Sequence, residues 1–243
     1  TTSLSKEELI RKSDIIIVSV PIKSTIPVIR EITPFIKEGK LLMDLTSLKV
    51  GPINEMLKSK ADVLGAHPLF APSIGDVRGQ TIILCPQRIS NKELYQKVNF
   101  ILTNRGANIV EMTPEEHDKM MAVIQGLTHF SAIALCHCMK DLNFDIKKSF
   151  ECTSPVYRLT LDMAGRILNQ EPELYADISL LNPITPEILL QYIKSAETLF
   201  KKIQTKDREG FIKFFEEASQ YLGDFTEKAE KESNLLIKKM VSE

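Results

Sequence analysis

The pattern of apolar residues changes once along this chain, near Pro114, and that change limits the folds open to it. Up to residue 112, short β-rich runs alternate with amphipathic stretches. From Pro114 onward, apolar residues recur at i, i+3 and i+4 to the end of the chain. Alternating strands and helices predict a mostly parallel sheet covered on both faces, whereas the later pattern predicts helices alone. We therefore expect an α/β domain over residues 1–112 and an all-helical domain over residues 113–243.

The individual elements follow from the same periodicities. Strands are predicted at residues 15–20, 41–43, 63–64, 81–84 and 108–110. Helices are predicted between them at 24–36, 51–59 and 91–104, with Ser24 and Ser90 as N-caps of the first and third. The second half opens with Thr113 as N-cap and Pro114 in the first turn of a helix that runs to about residue 141. Further helices are predicted at 154–169, 172–180, 185–204, 207–221 and 223–240.

Charge and length restrict the class of partner. The 243 residues suffice for one large domain or two small ones. Lys and Arg total 31 against 32 Asp and Glu, a net charge of −1, so the chain has no basic footprint for nucleic acid and no polybasic patch for a membrane. We expect a small molecule or another subunit as partner, and neither nucleic acid nor a membrane.

Cysteine usage and hydropathy predict the compartment. The four cysteines form no C-x-x-C pair, which is typical of reduced thiols in a cytoplasmic protein. Cys136, His137 and Cys138 would point about 100° apart on a helix, and no second pair completes four ligands, so no metal site is expected. We find neither a signal peptide nor an apolar run of the roughly 18–20 residues that a membrane span needs.

Two polar clusters follow neighbouring strands of the predicted sheet. Residues 44–49 include Ser47 and Lys49, and residues 65–70 include His67. Buried strands of a parallel sheet place such clusters at their carboxyl ends, where open α/β sheets bind ligands. The sequence therefore predicts a Ser, a Lys and a His in one crevice.

A feature of dinucleotide-binding domains is missing from this sequence. Such domains open with a strand, a G-x-G-x-x-G turn and a helix, and the turn admits the pyrophosphate. No such turn occurs here, and the first predicted strand begins at residue 15. We expect the first βαβ unit to be absent from this chain, which is then either a fragment or a smaller sheet.

Eight short motifs, in order along the chain, resemble those of the prephenate dehydrogenases, including the dehydrogenase part of the fused chorismate mutase enzymes. They span both predicted domains: residues 19–21 (SVP), 44–49 (DLTSLK), 65–70 (GAHPLF), 116–118 (EHD), 125–130 (QGLTHF), 154–158 (SPVYR), 165–166 (GR) and 174–177 (LYAD). Any one motif would be weak, but eight in sequence are specific.

The resemblance implies a fold and an activity. The fold is a Rossmann-type domain followed by a helical domain that forms most of a homodimer interface. The reaction is the oxidative decarboxylation of prephenate to 4-hydroxyphenylpyruvate, a precursor of tyrosine, with hydride transfer to NAD or NADP. NAD is favoured, although the residue that discriminates between the two follows a strand that this chain does not show. Tyrosine feedback inhibition is a further possibility in this family.

His67 matches the family's catalytic histidine, which accepts the proton of the ring hydroxyl. A neutral imidazole suits that task near pH 7. Ser47 matches the serine that hydrogen-bonds this histidine and the substrate; its alternative role is an N-cap for the following helix. Lys49 is expected either to give positive charge to substrate or cofactor or to be a solvated surface lysine.

Substrate contacts are also implied by the resemblance. Arg166 matches the arginine that binds a substrate carboxylate, as planar bidentate recognition favours. Gln125 and His129 lie on one face of the long helix and are expected to contact the substrate region. His117 is expected to anchor the domain junction. Thr128 stands where relatives often have Arg, so one basic contact is lost or supplied elsewhere.

The cofactor is expected to lie against the turn formed by Ser19, Val20 and Pro21, which otherwise simply ends a strand. Two rival functions remain open. Arogenate, which has an amino group in place of the keto group, is an alternative substrate. A non-catalytic fragment that dimerises through its helices is the alternative from a different class.

Overall fold

The computed structural model describes residues 4–71 and 74–241. The chain divides into two compact units, the first comprising Thr1–Phe130 and Gln170–Pro186 and the second comprising Ser131–Asn169 and Glu187–Glu243. The first unit therefore contains the whole sheet and also helical segments that follow the boundary predicted at residue 112. The apolar periodicity of the sequence shows where the strands end, but it does not show which of the later helices pack against the sheet.

A five-stranded sheet forms the centre of the first unit. Its strands occur at all five predicted places: β1 (Ile15–Val18), β2 (Leu41–Asp44), β3 (Asp62–Pro68), β4 (Thr81–Arg88) and β5 (Asn108–Glu111). The strand order is β1-β2-β3-β4-β5, and three of the four pairings are parallel. The pairing of β3 with β4 is antiparallel, so the Rossmann-like sheet is mixed.

Alternate residues of β2 and β3 face two different hydrophobic clusters. Leu42 and Val63 pack with residues of the helices on one face, and Leu41 and Leu64 pack on the other. All four are fully buried. This confirms that helices cover the sheet on both faces and explains why these strands read as continuous apolar runs.

Four helices of the first unit accompany the strands: α1 (Lys6–Lys12), α2 (Ile22–Ile32, extended by a 3₁₀ turn Thr33–Phe35), α3 (Val50–Met56) and α4 (Lys92–Asn104). Helix α1 was not predicted, because it is short and mostly charged. Ser24 and Ser90 are not the N-caps. Pro21 holds the N-cap position of α2 without a side-chain hydrogen bond, and the side chain of Asn91 caps α4.

The long helix predicted from Pro114 is present but not uniform. It consists of α5 (Pro114–Met121), a π-helical turn (Ala122–Leu127) and α6 (Thr128–Asp141). Thr113 and Glu116 form the predicted start as a reciprocal capping box. By length and composition, the helix over Pro114–Asp141 is apolar enough to cross a membrane. We had expected no such segment, because polar residues interrupt its apolar run; they only partly offset its aliphatic residues. One such helix is weak evidence, since core helices of globular proteins pass the same test.

The remaining helices agree closely with their predicted ranges, apart from the short α7, which was missed. They are α7 (Ile146–Ser149, followed by a 3₁₀ turn Phe150–Cys152), α8 (Pro155–Leu168), α9 (Pro172–Leu181), α10 (Thr185–Gln204), α11 (Arg208–Leu222) and α12 (Phe225–Val241). Helix α9 belongs to the first unit, and α10 begins there and continues in the second.

Candidate active site

The carboxyl ends of β1, β2 and β3 meet at one edge of the sheet because these strands are parallel. Ser19 directly follows β1, residues 45–49 follow β2, and His67 is the penultimate residue of β3. The structure therefore brings the two polar clusters to one edge, as predicted from the sequence.

Lys49 and Asp44 form an ion pair inside the protein. Both side chains are completely buried, and the Lys49 ammonium donates hydrogen bonds to Asp44 Oδ2 and, at 2.8 Å, to the carbonyl oxygen of Ala66. Thr46 donates from its backbone and its hydroxyl to the same Asp44 oxygen. The expectation of a solvated surface lysine was therefore wrong, because Lys49 is buried and paired with Asp44. Its supply of positive charge to a substrate or cofactor stays a prediction.

Gly65 makes room for the Lys49 side chain. A Cβ atom at this glycine would lie 2.9 Å from Lys49 Cδ and 2.7 Å from Ile53 Cδ1, closer than such atoms approach in proteins. Lys49 can therefore reach across β3 to Ala66, the neighbour of His67, only because residue 65 lacks a side chain.

His67 is buried, with 3% of its surface exposed. Its Nδ1 lies 2.8 Å from Nε2 of His117, and its Nε2 lies 3.5 Å from Nε2 of Gln125. Burial lowers the pKa of His67 well below 6.5, with further lowering from His117 and from the Lys49 cation. The ring is therefore neutral at physiological pH, as a proton acceptor must be.

His117 and Asp118 continue the hydrogen bonding away from His67. His117 is completely buried, and its Nδ1 lies 2.7 Å from Asp118 Oδ1. Asp118 also accepts hydrogen bonds from the backbone N–H groups of Lys49 and Val50 at 2.8 and 3.0 Å, so it caps the start of α3. His117 was predicted to anchor the domain junction. It follows the boundary predicted at residue 112, and its contact with His67 joins α5 to β3 within the first compact unit.

Ser47 does not hold the position predicted for it. Within residues 4–71 and 74–241, no hydrogen bond joins Ser47 to His67, because His117 occupies Nδ1 of the ring and Gln125 faces Nε2. Nor is Ser47 the N-cap of α3, a position that Lys49 holds. Ser47 is half-buried in the loop after β2, and its contact with substrate stays a prediction.

Gln125 and His129 supply polar atoms without partners. Among the described residues, Gln125 Oε1 and His129 Nδ1 are buried and accept or donate no hydrogen bond. Gln125 lies in the π-helical turn, a feature that often marks functional sites. His129 packs against Tyr175, with ring centroids 4.4 Å apart, and burial lowers its pKa. A polar ligand would satisfy both atoms.

Comparisons with known proteins agree with this geometry. The sequence model described as the nucleotide-binding domain of prephenate dehydrogenase matches residues 2–111, and that of its dimerisation domain matches residues 113–217. The chain belongs to the prephenate dehydrogenase family.

Individual relatives support the assignment to this dehydrogenase family. The chain is 42% identical over 220 residues to a probable arogenate/prephenate dehydrogenase of Methanocaldococcus jannaschii, covering 89% of this chain and 49% of that protein. It is 36% identical over 235 residues to the T-protein of Haemophilus influenzae, covering 95% and 61%. The chain thus spans about half to three fifths of the length of these relatives. A structure of Aquifex aeolicus prephenate dehydrogenase with hydroxyphenyl propionate and NAD+ shares the fold, with a TM-score of 0.67 at 20% identity over 84% of this chain and 74% of that one.

Two arginines of the dehydrogenase motifs lie on α8, in the second unit. Arg158 pairs with Asp162 at 3.1 Å and lies 4.8 Å above the Phe150 ring. Arg166 is exposed on the same helix. Thr128, at the family position often held by Arg, is exposed at the start of α6.

The predicted cofactor turn lies at the carboxyl end of β1, at the edge of the sheet where open α/β sheets bind ligands. Ser19 and Pro21 are exposed and Val20 is half-buried. Asp177 of α9 accepts a hydrogen bond from the Lys23 N–H at 3.3 Å, so a carboxylate covers the start of α2. In residues 4–71 and 74–241, no glycine-rich turn joins a strand to a helix. The described residues therefore lack the glycine-rich cradle that receives a pyrophosphate, and the contact of residues 19–21 with a nicotinamide stays a prediction.

Sequence reasoning missed two acidic residues of the site. Asp44 and Asp118 were part of the recognised motifs but received no role. Asp44 ends an otherwise apolar strand, a position where a buried carboxylate needs a nearby cation. Asp118 follows directly after His117. Its burial on α5 could not be predicted from the periodicity, because it comes after two acids in the first turn of the helix and looks like a third solvated one.

Proposed function

We propose that the full-length protein catalyses the oxidative decarboxylation of prephenate to 4-hydroxyphenylpyruvate in tyrosine biosynthesis, in the cytoplasm. One observation carries the proposal: His67 is buried and neutral at the carboxyl edge of the sheet, in a chain of the prephenate dehydrogenase family. In our proposal the side chain stands where the family motif requires a proton acceptor.

His67 accepts the proton of the substrate's ring hydroxyl at Nε2. Its Nδ1 is engaged by His117 at 2.8 Å, so Nε2 is the nitrogen left to face a substrate. Gln125, with its amide 3.5 Å from that nitrogen, borders the position that the hydroxyl would occupy. A general base of this kind contributes about 10²–10⁴ in rate.

A cationic side chain and uncharged polar side chains hold the substrate. Prephenate carries two carboxylates, and Arg166 supplies a guanidinium for one of them. Gln125 Oε1 and His129 Nδ1, buried without partners among the described residues, bind polar atoms of the substrate. Ser47, in the loop after β2, contacts the reacting hydroxyl.

The cofactor is NAD, bound with its nicotinamide against Ser19, Val20 and Pro21. When bound there, it would supply the hydride acceptor for the ring carbon that carries the hydroxyl. A structural neighbour was solved with NAD+ and a hydroxyphenyl compound, so the shared fold is compatible with NAD. His67 and Gln125 place the hydroxyl for the same event.

The helical domain forms a homodimer, as the family description of residues 113–217 suggests. Tyrosine, the end product, inhibits the enzyme by binding near His129. The second unit exposes apolar side chains along its helices, which a partner subunit would cover.

Arogenate is the second candidate substrate. The Methanocaldococcus relative carries both substrates in its name, and that relative is 42% identical to this chain. The side chain of arogenate bears an ammonium group, which an acidic residue in the site would favour.

A spectrophotometric assay of the full-length protein tests the proposal. Prephenate and arogenate are each offered with NAD and with NADP, and formation of the reduced nicotinamide is followed. We expect the highest kcat/KM for prephenate with NAD. A preference for arogenate would support the second candidate, and no reduction in any combination would favour the non-catalytic, dimerising alternative.

A further inference from the structure

The strongest unassigned feature is a continuous line of three buried side chains, His67, His117 and Asp118, which we call the His-His-Asp line. Its two hydrogen bonds measure 2.8 and 2.7 Å, and 3% or less of each residue's surface is exposed. Resting on the proposed function, we propose that His117 and Asp118 are positioning residues that fix the hydrogen of His67 on Nδ1 and receive that hydrogen when Nε2 takes the substrate's proton.

The contacts of Asp118, at the far end of the line from the substrate, determine which ring nitrogens carry a hydrogen. Asp118 accepts hydrogen bonds from two backbone N–H groups, those of Lys49 and Val50, in addition to His117. A carboxylate with these three donors is an acceptor only, so Nδ1 of His117 must carry a hydrogen. Nε2 of a neutral His117 is then an acceptor, and Nδ1 of His67 must donate to it. This leaves the lone pair of His67 on Nε2.

The same connections give the transferred proton a destination. As the substrate O–H bond breaks, an N–H bond forms at Nε2 of His67. The Nδ1–H bond of His67 breaks in turn and a new N–H bond forms at Nε2 of His117. The positive charge then lies on His117, 2.7 Å from the Asp118 carboxylate, and His67 ends neutral.

The charges around the line favour this placement. Burial, followed by the electrostatic effects of His117 and of the Lys49 cation, opposes a positive charge on His67 and lowers its pKa. Asp44 pairs with Lys49, and Cys85 on β4, whose pKa burial raises to about 12, stays an uncharged thiol. Among the described residues, Asp118 is thus the one acid hydrogen-bonded to the ring of His67 or His117. Asn182 steadies it by donating to its backbone carbonyl at 2.8 Å.

Imidazole NMR tests the hydrogen order without any substrate. The chain has four histidines, so ¹⁵N-histidine labelling of the full-length protein gives few signals, each assigned with a single substitution. At pH 7.5, about one unit above the ordinary histidine value, we expect His67 to be neutral with its hydrogen on Nδ1. A hydrogen on Nε2 of His67 would overturn the proposal. Because no turnover is needed, this result is independent of the proposed function.

Kinetics test the proton's destination. In Asp118→Asn, whose amide can donate toward His117, we expect kcat to fall by about 100-fold or more while the KM for prephenate changes by less than about threefold. His117→Asn, which cannot take up the proton, should lose kcat in the same way. Circular dichroism and thermal unfolding confirm that each variant is folded; if Asp118→Asn is not, His117→Asn and the wild-type NMR result decide.

The matched control is another His-Asp pair on the same long helix. His137 and Asp141 lie 3.2 Å apart, with 63% of each side chain exposed. We expect His137→Asn to retain wild-type kcat and the wild-type His67 signal. Unchanged kcat in a folded Asp118→Asn would contradict the relay. An inactive wild-type protein would instead contradict the proposed function, and the NMR result would still decide the hydrogen order.

Discussion

The two compact units of this chain treat apolar surface in opposite ways. Of the described hydrophobic residues that are buried, all but Ala164 lie in the first unit. The second unit leaves large side chains exposed along its helices, including Phe200 at 59%, Phe215 at 67% and Tyr221 at 89%. The sheet closes its own core on both faces, whereas the later helices have no such closure within one chain.

This difference decides where buried charge can be held. Only a closed core can exclude water from an ion pair such as Asp44–Lys49, and only there does the pKa of a histidine fall well below 6.5. The ion pairs of the second unit lie on its surface. In our proposal the first unit carries the proton chemistry, and the second serves assembly and supplies the Arg166 contact.

The largest expected effect is on turnover. His67→Asn removes the proton acceptor from the first unit, so kcat should fall by about 10²–10⁴ with little change in KM, because ground-state contacts of the substrate are retained. Steady-state kinetics with prephenate and the preferred nicotinamide measure both constants. Near-normal turnover in a folded variant would end the assignment of His67.

The contrast in buried charge predicts a stability effect. Lys49→Met leaves Asp44 buried without its cation and should lower the free energy of unfolding by about 3–5 kcal/mol, measured by urea denaturation. The control is Lys58→Met, whose side chain is 62% exposed and pairs with Glu55, and which should cost less than about 1 kcal/mol. Equal effects of the two variants would contradict the structural role of Lys49.

The exposed helices of the second unit predict an effect on assembly. If a second subunit covers the exposed Phe215, Phe215→Asp should weaken dimerisation by about 2–4 kcal/mol, measured by analytical ultracentrifugation. Lys213→Asp on the same helix, about 160° away around its axis, serves as the polar control. A wild-type protein that is monomeric at all concentrations would show that these side chains are not covered by a second copy.

Arg166→Gln tests the substrate contact proposed for the second unit. Removing the guanidinium should raise the KM for prephenate by about ten- to a hundredfold, while kcat changes less, because a carboxylate contact made in the ground state is lost. Arg158→Gln, whose partner is Asp162, is the control on the same helix. An unchanged KM in Arg166→Gln would place the carboxylate contact elsewhere.

The smallest expected effect concerns the surface pairs. Arg158→Ala removes an i, i+4 pair with Asp162 in which both side chains are more than 40% exposed. Such pairs contribute about 0.3–0.5 kcal/mol, so the free energy of unfolding should barely change in the same urea experiment. A loss above about 2 kcal/mol would mean that the surface of the second unit holds charge as tightly as the core of the first.

The elements themselves could largely be predicted. Strands buried on both faces appear as unbroken apolar runs, and all five were found in place. Helix α10 matches its predicted range because apolar periodicity and a Pro near its start both mark it. Helix α1 was missed since a short, charged helix carries no comparable apolar pattern.

The site could be predicted only in part. The position of His67 at a strand end could be predicted from the sequence. Its hydrogen-bond partner could not, because that partner comes from a distant part of the chain; Ser47 was expected where His117 lies. Burial of Lys49 was unexpected because lysines are rarely inside proteins unless paired, and the pair depends on Gly65 leaving space. The π-helical turn around Gln125 could not be predicted, because the apolar periodicity indicates a helix before and after it and does not distinguish a π-helical turn from an α-helical one.

The pH dependence of kcat/KM tests the central claim, that the buried, neutral His67 is the proton acceptor. Because its pKa is lowered below 6.5, the ring stays neutral, and the enzyme active, until the pH falls through that lowered value. For the full-length protein with prephenate, we expect the acid-side loss of kcat/KM to have its midpoint below 6.5 and to be missing from the residual activity of His67→Asn. A midpoint above 6.5, or the same loss in His67→Asn, would contradict the account.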